Sequence, residues 1–153
     1  PDIGADPARF TVSGHSAGAH LATLLASEAP GDAGQVDLPK LRGMLLVSGI
    51  YDLSGIPRSF LKNEAKMNDD EARAWSPLLA RHRPGPLRII TRGEEETAPF
   101  QDQAIALNAL LDHEGLATEL RRERDSNHLT IVFDLADPGA PLGQKLFELV
   151  ELC

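Results

Sequence analysis

A chain of 153 residues can bury one well-formed core but not two ordinary ones, and 42% hydrophobic against 25% charged residues is a globular balance. The net charge of −8, spread along the chain, argues against nucleic acid or an anionic membrane as partner, since either calls for a basic face. The lone cysteine, Cys153, excludes an internal disulfide framework; with no apolar run of spanning length and no signal-peptide pattern, a cytoplasmic location is the expectation.

Pro1 to Pro7 is polar and turn-prone, and Arg9-Phe10-Thr11-Val12-Ser13 predicts the first strand. The stretch Gly14-His15-Ser16-Ala17-Gly18 follows, then an Ala/Leu-rich helix over His20 to Glu28 that ends before Pro30-Gly31. Residues 31–39 read as a surface loop. The near-continuous apolar run from Leu41 to Ser48 suits a strand buried on both faces of a parallel sheet. Residues 56–77 are irregular or helical, with Asn68 and Glu71 spaced as a capping box and Ser76-Pro77 as the stop. A third strand, Leu87 to Thr91, follows the breaker Arg83-Pro84-Gly85-Pro86. Phe100, Ala104, Leu107 and Leu111 recur at helical spacing, with Gly115 as the stop. Thr118 to Arg122 is a charge-rich fourth strand that fits only near a sheet edge, and Leu142, Leu146, Leu149 and Val150 mark a closing amphipathic helix. Strands alternating with helices imply an α/β fold with a parallel sheet.

The turn at residues 14–18 stands between strand and helix, the setting in which a serine is held on a strained backbone as a nucleophile. Small residues at Gly14, Ala17 and Gly18 let strand and helix pack closely, and the Ala17 N–H at the helix N-terminus can hold a developing oxyanion. The plain alternative is a glycine-rich turn with Ser16 as a cap. A serine hydroxyl needs a base and an acid to orient that base, and in elbow-type hydrolases the order is Ser, acid, His. Only His128 lies beyond the last predicted strand, in the loop Asp125-Ser126-Asn127-His128, and it is the favoured base. His15 and His20 sit on the elbow and its helix, His82 in a basic surface loop and His113 near a helix end. The acid should follow the third strand, where Glu94, Glu95 and Glu96 stand consecutively; the residues alone do not choose among them, and Asp52 is a rival. No metal-ligand spacing and no phosphate-binding loop is present.

With these residues in place, the chain resembles the kynurenine formamidase (arylformamidase) group of α/β-hydrolases, close to carboxylesterases and hormone-sensitive-lipase-like enzymes. The resemblance is carried by residues 12–22, Leu41-Arg42-Gly43, the run from Val47 through Ser48-Gly49-Ile50-Tyr51-Asp52 to Leu53, Ser76-Pro77, the 93–96 turn with Phe100 and Gln103, and Asn127-His128. It implies a three-layer α/β-hydrolase-type parallel sheet, of which residues 1–153 form a single partial domain: the C-terminal half, with about four parallel strands and crossover helices. The N-terminal strands and a His-Gly-Gly oxyanion loop are expected to be absent. It also implies Glu96, three residues after the turn glycine, as the acid, and so a triad of Ser16, Glu96 and His128 with Ala17 as oxyanion donor. The implied reaction, without metal or other cofactor, removes a formyl or short acyl group from an aromatic formamide or ester, with N-formylkynurenine of tryptophan catabolism foremost. His15, Tyr51, Phe60 and Trp75 are the candidate pocket residues. A general carboxylesterase and an impaired fragment or interaction module are the alternatives, the last with an exposed strand edge that invites a homodimer or the missing N-terminal half.

Overall fold

The structure, a computed structural model, describes residues 4, 6–28 and 40–152; the expected loop at 31–39, the Pro30-Gly31 stop and Cys153 lie outside them. A 3₁₀ turn at Pro7–Arg9, capped by the Asp6 carboxylate on Ala8 N at 2.9 Å, leads into β1, Phe10–His15. The first helix, α1 at Ala17–Leu24, begins three residues before the expected start, because the Ser16 carbonyl already accepts from Ala19 N and His20 N at 3.0 and 3.2 Å. It also ends early. Beyond it Glu28 N donates to Arg81 O at 2.9 Å and Arg83 N to Ala26 O at 2.8 Å, so pairing with the 81–83 segment replaces a further helical turn.

Strand β2, Leu41–Val47, is the centre of the core, with Met44, Leu45, Leu46 and Val47 fully buried. The chain then passes through α2, Lys62–Ala65, and α3, Asp69–Ala74. The expected capping box forms at α3: Asn68 Oδ1 accepts from Asp70 N and Glu71 N, and Glu71 Oε2 accepts from Asn68 N at 2.9 Å. Strand β3 spans Leu87–Gly93, helix α4 Ala98–His113 and strand β4 Thr118–Glu123. Gly115 follows α4 in the left-handed region, φ +72°, where a Cβ would be strained. Two helices close the chain, α5 at Ile131–Ala136 and α6 at Pro141–Leu152. The six-residue α5 has no counterpart among the sequence expectations; it is too short to show a period, and its Phe133 is exposed.

Among the described residues four strands run parallel in the order β1-β2-β3-β4, and the charge-rich β4 stands at an edge of that sheet, as its composition leads one to expect. Successive residues of β2 serve opposite faces. Met44 and Leu46 pack with Ala19, Ala22 and Ala26 beside α1 and with Leu107 and Leu111 of α4, while Leu45 and Val47 pack with Ile131 of α5 and with Leu142 and Leu149 of α6. Two helical layers around one sheet result, and each buried aliphatic side chain contributes roughly 1.5–3 kcal/mol. The composition did not announce that Arg88, within β3, is fully buried; its guanidinium donates to the carbonyls of Ala26, Arg83 and Pro86, and burial lowers its pKa. Among the described residues no helix is long and apolar enough to cross a membrane.

His82, expected in a solvated loop, is partly buried: it bridges to Ser27 and donates from Nε2 to Pro77 O at 2.9 Å, leaving Nδ1 buried and unpartnered. Burial lowers its pKa from 6.5. The unfolded chain therefore binds the proton more readily, and stability falls as pH drops through the unfolded value of about 6.5. His82→Gln, which keeps an Nε–H donor without a titrating ring, is expected to flatten the decline of melting temperature between pH 7.5 and 5.5. An unchanged slope would place the acid sensitivity elsewhere.

Candidate active site

The C-terminal ends of parallel strands are where loops of α/β folds gather their chemistry. Ser16 leaves β1 with φ +54° and ψ −119°, a backbone state worth about 1–3 kcal/mol of strain. Two features hold it there. Its N–H donates to Val47 O at 2.9 Å, and Gly14 lies so close to the start of α1 that an added Cβ would sit 2.3 Å from Gly18 O. Gly18 itself has open space around its Cβ position, so the packing demand falls on Gly14 alone of these two.

From Ser16 a chain of hydrogen bonds crosses the mouth of the sheet. Ser16 Oγ lies 3.0 Å from His128 Nε2, and His128 Nδ1 lies 2.8 Å from Glu96 Oε1. A carboxylate opposite Nδ1 calls for the proton on that nitrogen, leaving Nε2 to accept from the serine hydroxyl. The Glu96 side chain is fully buried, and its second oxygen accepts from Gly93 N at 3.1 Å, so neither oxygen is left without a donor. Ala17 N stands in the first turn of α1, beside the serine, where a helix offers its N–H groups no internal acceptor.

Of the three consecutive glutamates, Glu96 alone points inward. Glu95 is exposed, and Glu94 pairs with Arg122 at 3.5 Å. The rival Asp52 caps its own turn, Oδ1 accepting from Ser54 N at 2.8 Å. His20 donates to Trp75 O at 2.8 Å and His113 is exposed at the end of α4, neither within the chain of bonds. Of the four candidate pocket residues, His15 lies against His128, ring centroids 4.7 Å apart. Tyr51 is wholly buried in the core, its ring against Gly49, and burial pushes its phenol far above the ordinary value. Phe60 is 88% exposed and Trp75 37% exposed, and neither touches Ser16, His128 or Glu96 through a ring contact or hydrogen bond.

Three polar side chains support these turns: Gln103 and Asn127, which are among the residues that carry the family resemblance, and Gln101, which the sequence reading passed over. Gln101 Nε2, one turn into α4, donates to Glu94 O at 2.9 Å and Glu96 O at 3.3 Å, fixing the acid turn from below. Gln103 Oε1 accepts from Tyr51 N and Asp52 N at 2.6 and 2.9 Å and holds the turn after β2. Asn127 Oδ1 accepts from Leu129 N and Thr130 N at 2.9 and 3.1 Å, shaping the loop on either side of His128, whose ring also meets Phe100 at 4.2 Å. For Gln101, its place early in a helix that follows a functional turn is the one hint the sequence contained. Among the described residues no group of three or more His, Cys, Asp or Glu is arranged to hold a metal ion.

A parallel sheet between two helical layers, with a serine on a strand-to-helix turn, is α/β-hydrolase architecture, and solved esterases share it. The chain superposes on the esterase of Thermogutta terrifontis with a TM-score of 0.66 at 24% identity, over 97% of this chain and 55% of that one. In sequence it is a relative of the kynurenine formamidases: 29% identical to that of Danio rerio over 143 residues and 31% identical to that of Salmo salar over 144, in each case 90% of this chain. It spans about half the length of these relatives, 48% in both. The esterase LipQ of Mycobacterium tuberculosis is 29% identical over 150 residues, 88% of this chain and 35% of the relative. No protein-family model matches the chain.

The acid turn and the histidine loop meet at Gly93, where an added Cβ would lie 2.3 Å from Ser126 O. Gly93→Ala is therefore expected to lower stability by about 1–3 kcal/mol in urea unfolding, as overpacking does. Gly18→Ala, with nothing within 4 Å of its new Cβ, is expected to cost nothing.

Proposed function

We propose that the chain acts as a serine hydrolase that removes a formyl or short acyl group from an aromatic amine, with N-formylkynurenine as substrate. The observation that carries this reading is the unbroken relay from Ser16 through His128 to Glu96, at 3.0 and 2.8 Å. Ser16 Oγ attacks the formyl carbon while its proton passes to His128 Nε2, and Glu96 stabilises the imidazolium through Nδ1–H. The Ala17 N–H holds the oxyanion of the tetrahedral intermediate. Collapse expels the aryl amine, which takes the proton from His128, and leaves Ser16 as a formyl ester. Water then attacks that ester with His128 as base, releasing formate and restoring the hydroxyl. Nucleophile, base and orienting acid all come from side chains, so the scheme calls for no metal or cofactor.

The substrate choice rests on the kynurenine formamidase relatives. The likeness to LipQ favours a second reading, a carboxylesterase working through the same relay. Acyl preference resides in pocket walls, and one oxyanion donor more or less changes turnover by about 10²- to 10³-fold. The sheet has β1 at one edge, where a further strand and a second backbone donor could add.

Fluorophosphonate labelling tests the relay. The chain should label at Ser16, Ser16→Ala should abolish labelling, and Glu96→Gln should slow it by about 10²- to 10⁴-fold. No labelling of the unaltered chain would leave an interaction module as the reading. Turnover of N-formylkynurenine beside a p-nitrophenyl ester then separates formamidase from esterase, and a wide preference for the ester would overturn the substrate assignment.

A further inference from the structure

The loop that carries His128 is anchored unequally on its two sides. Toward β3 it is held by main-chain bonds, Glu94 N to Glu123 O at 2.8 Å and Glu95 N to Ser126 O at 2.9 Å, with Asp125 N to Glu94 Oε2 at 3.4 Å in support. Toward the nucleophile strand, among the described residues, two hydrogen bonds reach His128. One is Ser16 Oγ to His128 Nε2, and the other is His15 Nε2 to the main-chain carbonyl of His128 at 2.8 Å.

The first of these cannot persist through turnover. Once Ser16 Oγ carries an acyl group it has no proton to donate, and its bond to His128 is gone. The second involves no reacting atom. A carbonyl can only accept, so His15 Nε2 bears the proton, and burial, which lowers the His15 pKa, keeps that ring neutral. The groups facing it are His128, whose ring centroid is 4.7 Å away, and Glu96. A neutral neighbour lets His128 become an imidazolium without meeting a like charge.

We infer that His15 is a positioning residue: its Nε2–H latches the main chain of His128 to the nucleophile strand, so that the base stays in reach of Ser16 when their own bond is broken. This rests on the hydrolase reading for its consequence in turnover, while the latch itself is a property of the fold. His15 touches no reacting atom and acts only through the placement of His128.

The test compares the unaltered chain with His15→Leu, which removes the donor at similar size, and His15→Gln, whose amide nitrogen can replace Nε2–H. Two readouts are taken: steady-state hydrolysis of p-nitrophenyl acetate, and amide hydrogen exchange at His128 to Thr130 with the β2 core as internal reference. His15→Leu is expected to lower kcat about 10- to 100-fold, the scale set by misplacing a catalytic group, and, because the slowed step is hydrolysis of the acyl-enzyme, KM is expected to fall with it so that kcat/KM changes less than kcat. Exchange at 128–130 should quicken about tenfold while the core is unaffected, and His15→Gln should restore both. If His15→Leu does not fold, His15→Asn, whose shorter amide cannot span to the carbonyl, takes its place. Unaltered kcat and exchange in the donor-less variant overturn the latch. So does a His15→Gln chain that is folded yet as impaired as His15→Leu. If the unaltered chain neither turns over nor labels at Ser16, the hydrolase reading fails, and the exchange comparison alone decides the latch.

Discussion

A fully buried carboxylate has to be met by donors, and at Glu96 those donors are His128 Nδ1 at 2.8 Å and Gly93 N at 3.1 Å. Leaving such a group unpaired costs several kcal/mol, so this one requirement fixes the geometry of everything around it. The acid turn must fold back on its own glycine, and the histidine loop must close over the turn. Gly93 has to lack a side chain because Ser126 O occupies the place where a Cβ would be. Gln101 then takes up the turn's carbonyls, and Asn127 fixes the loop beyond. With the imidazole set from one side by Glu96, its Nε2 faces the serine on the other.

The sheet makes that closure possible. Parallel strands deliver the ends of β1, β3 and β4 to one rim, and the double-sided burial of β2 keeps them in register. At the other end of β3, Arg88 plays a different part. Its guanidinium gathers three main-chain carbonyls from the turn after α1 and the segment before the strand. A buried cation there ties the connections together at the end of the sheet remote from the serine.

Much of this was legible in order along the chain. The near-continuous apolar run at 41–48 suited a strand covered on both faces, the charged run at 118–122 fitted only near an edge, and Asn68 with Glu71 announced a helix start that forms as written. Boundaries were less legible, because competition for backbone partners decides them: α1 ends where the chain pairs with residues 81–83, and α5 is too short for its period to be heard. Glycine roles were legible only in part. Gly14 and Gly18 look alike in the motif, yet backbone crowds the first and open space surrounds the second.

The amino-acid order by itself determined the strand-turn-helix around Ser16, the alternation that makes the sheet parallel, and the succession serine, acid, histidine, because each is a local pattern or a count along the chain. Which of Glu94, Glu95 and Glu96 faces the imidazole, that Tyr51 is buried in the core, and that His15 grips the His128 carbonyl were decided only when distant segments met. Those outcomes depend on distances between residues up to 113 positions apart, and such distances exist only in the folded chain.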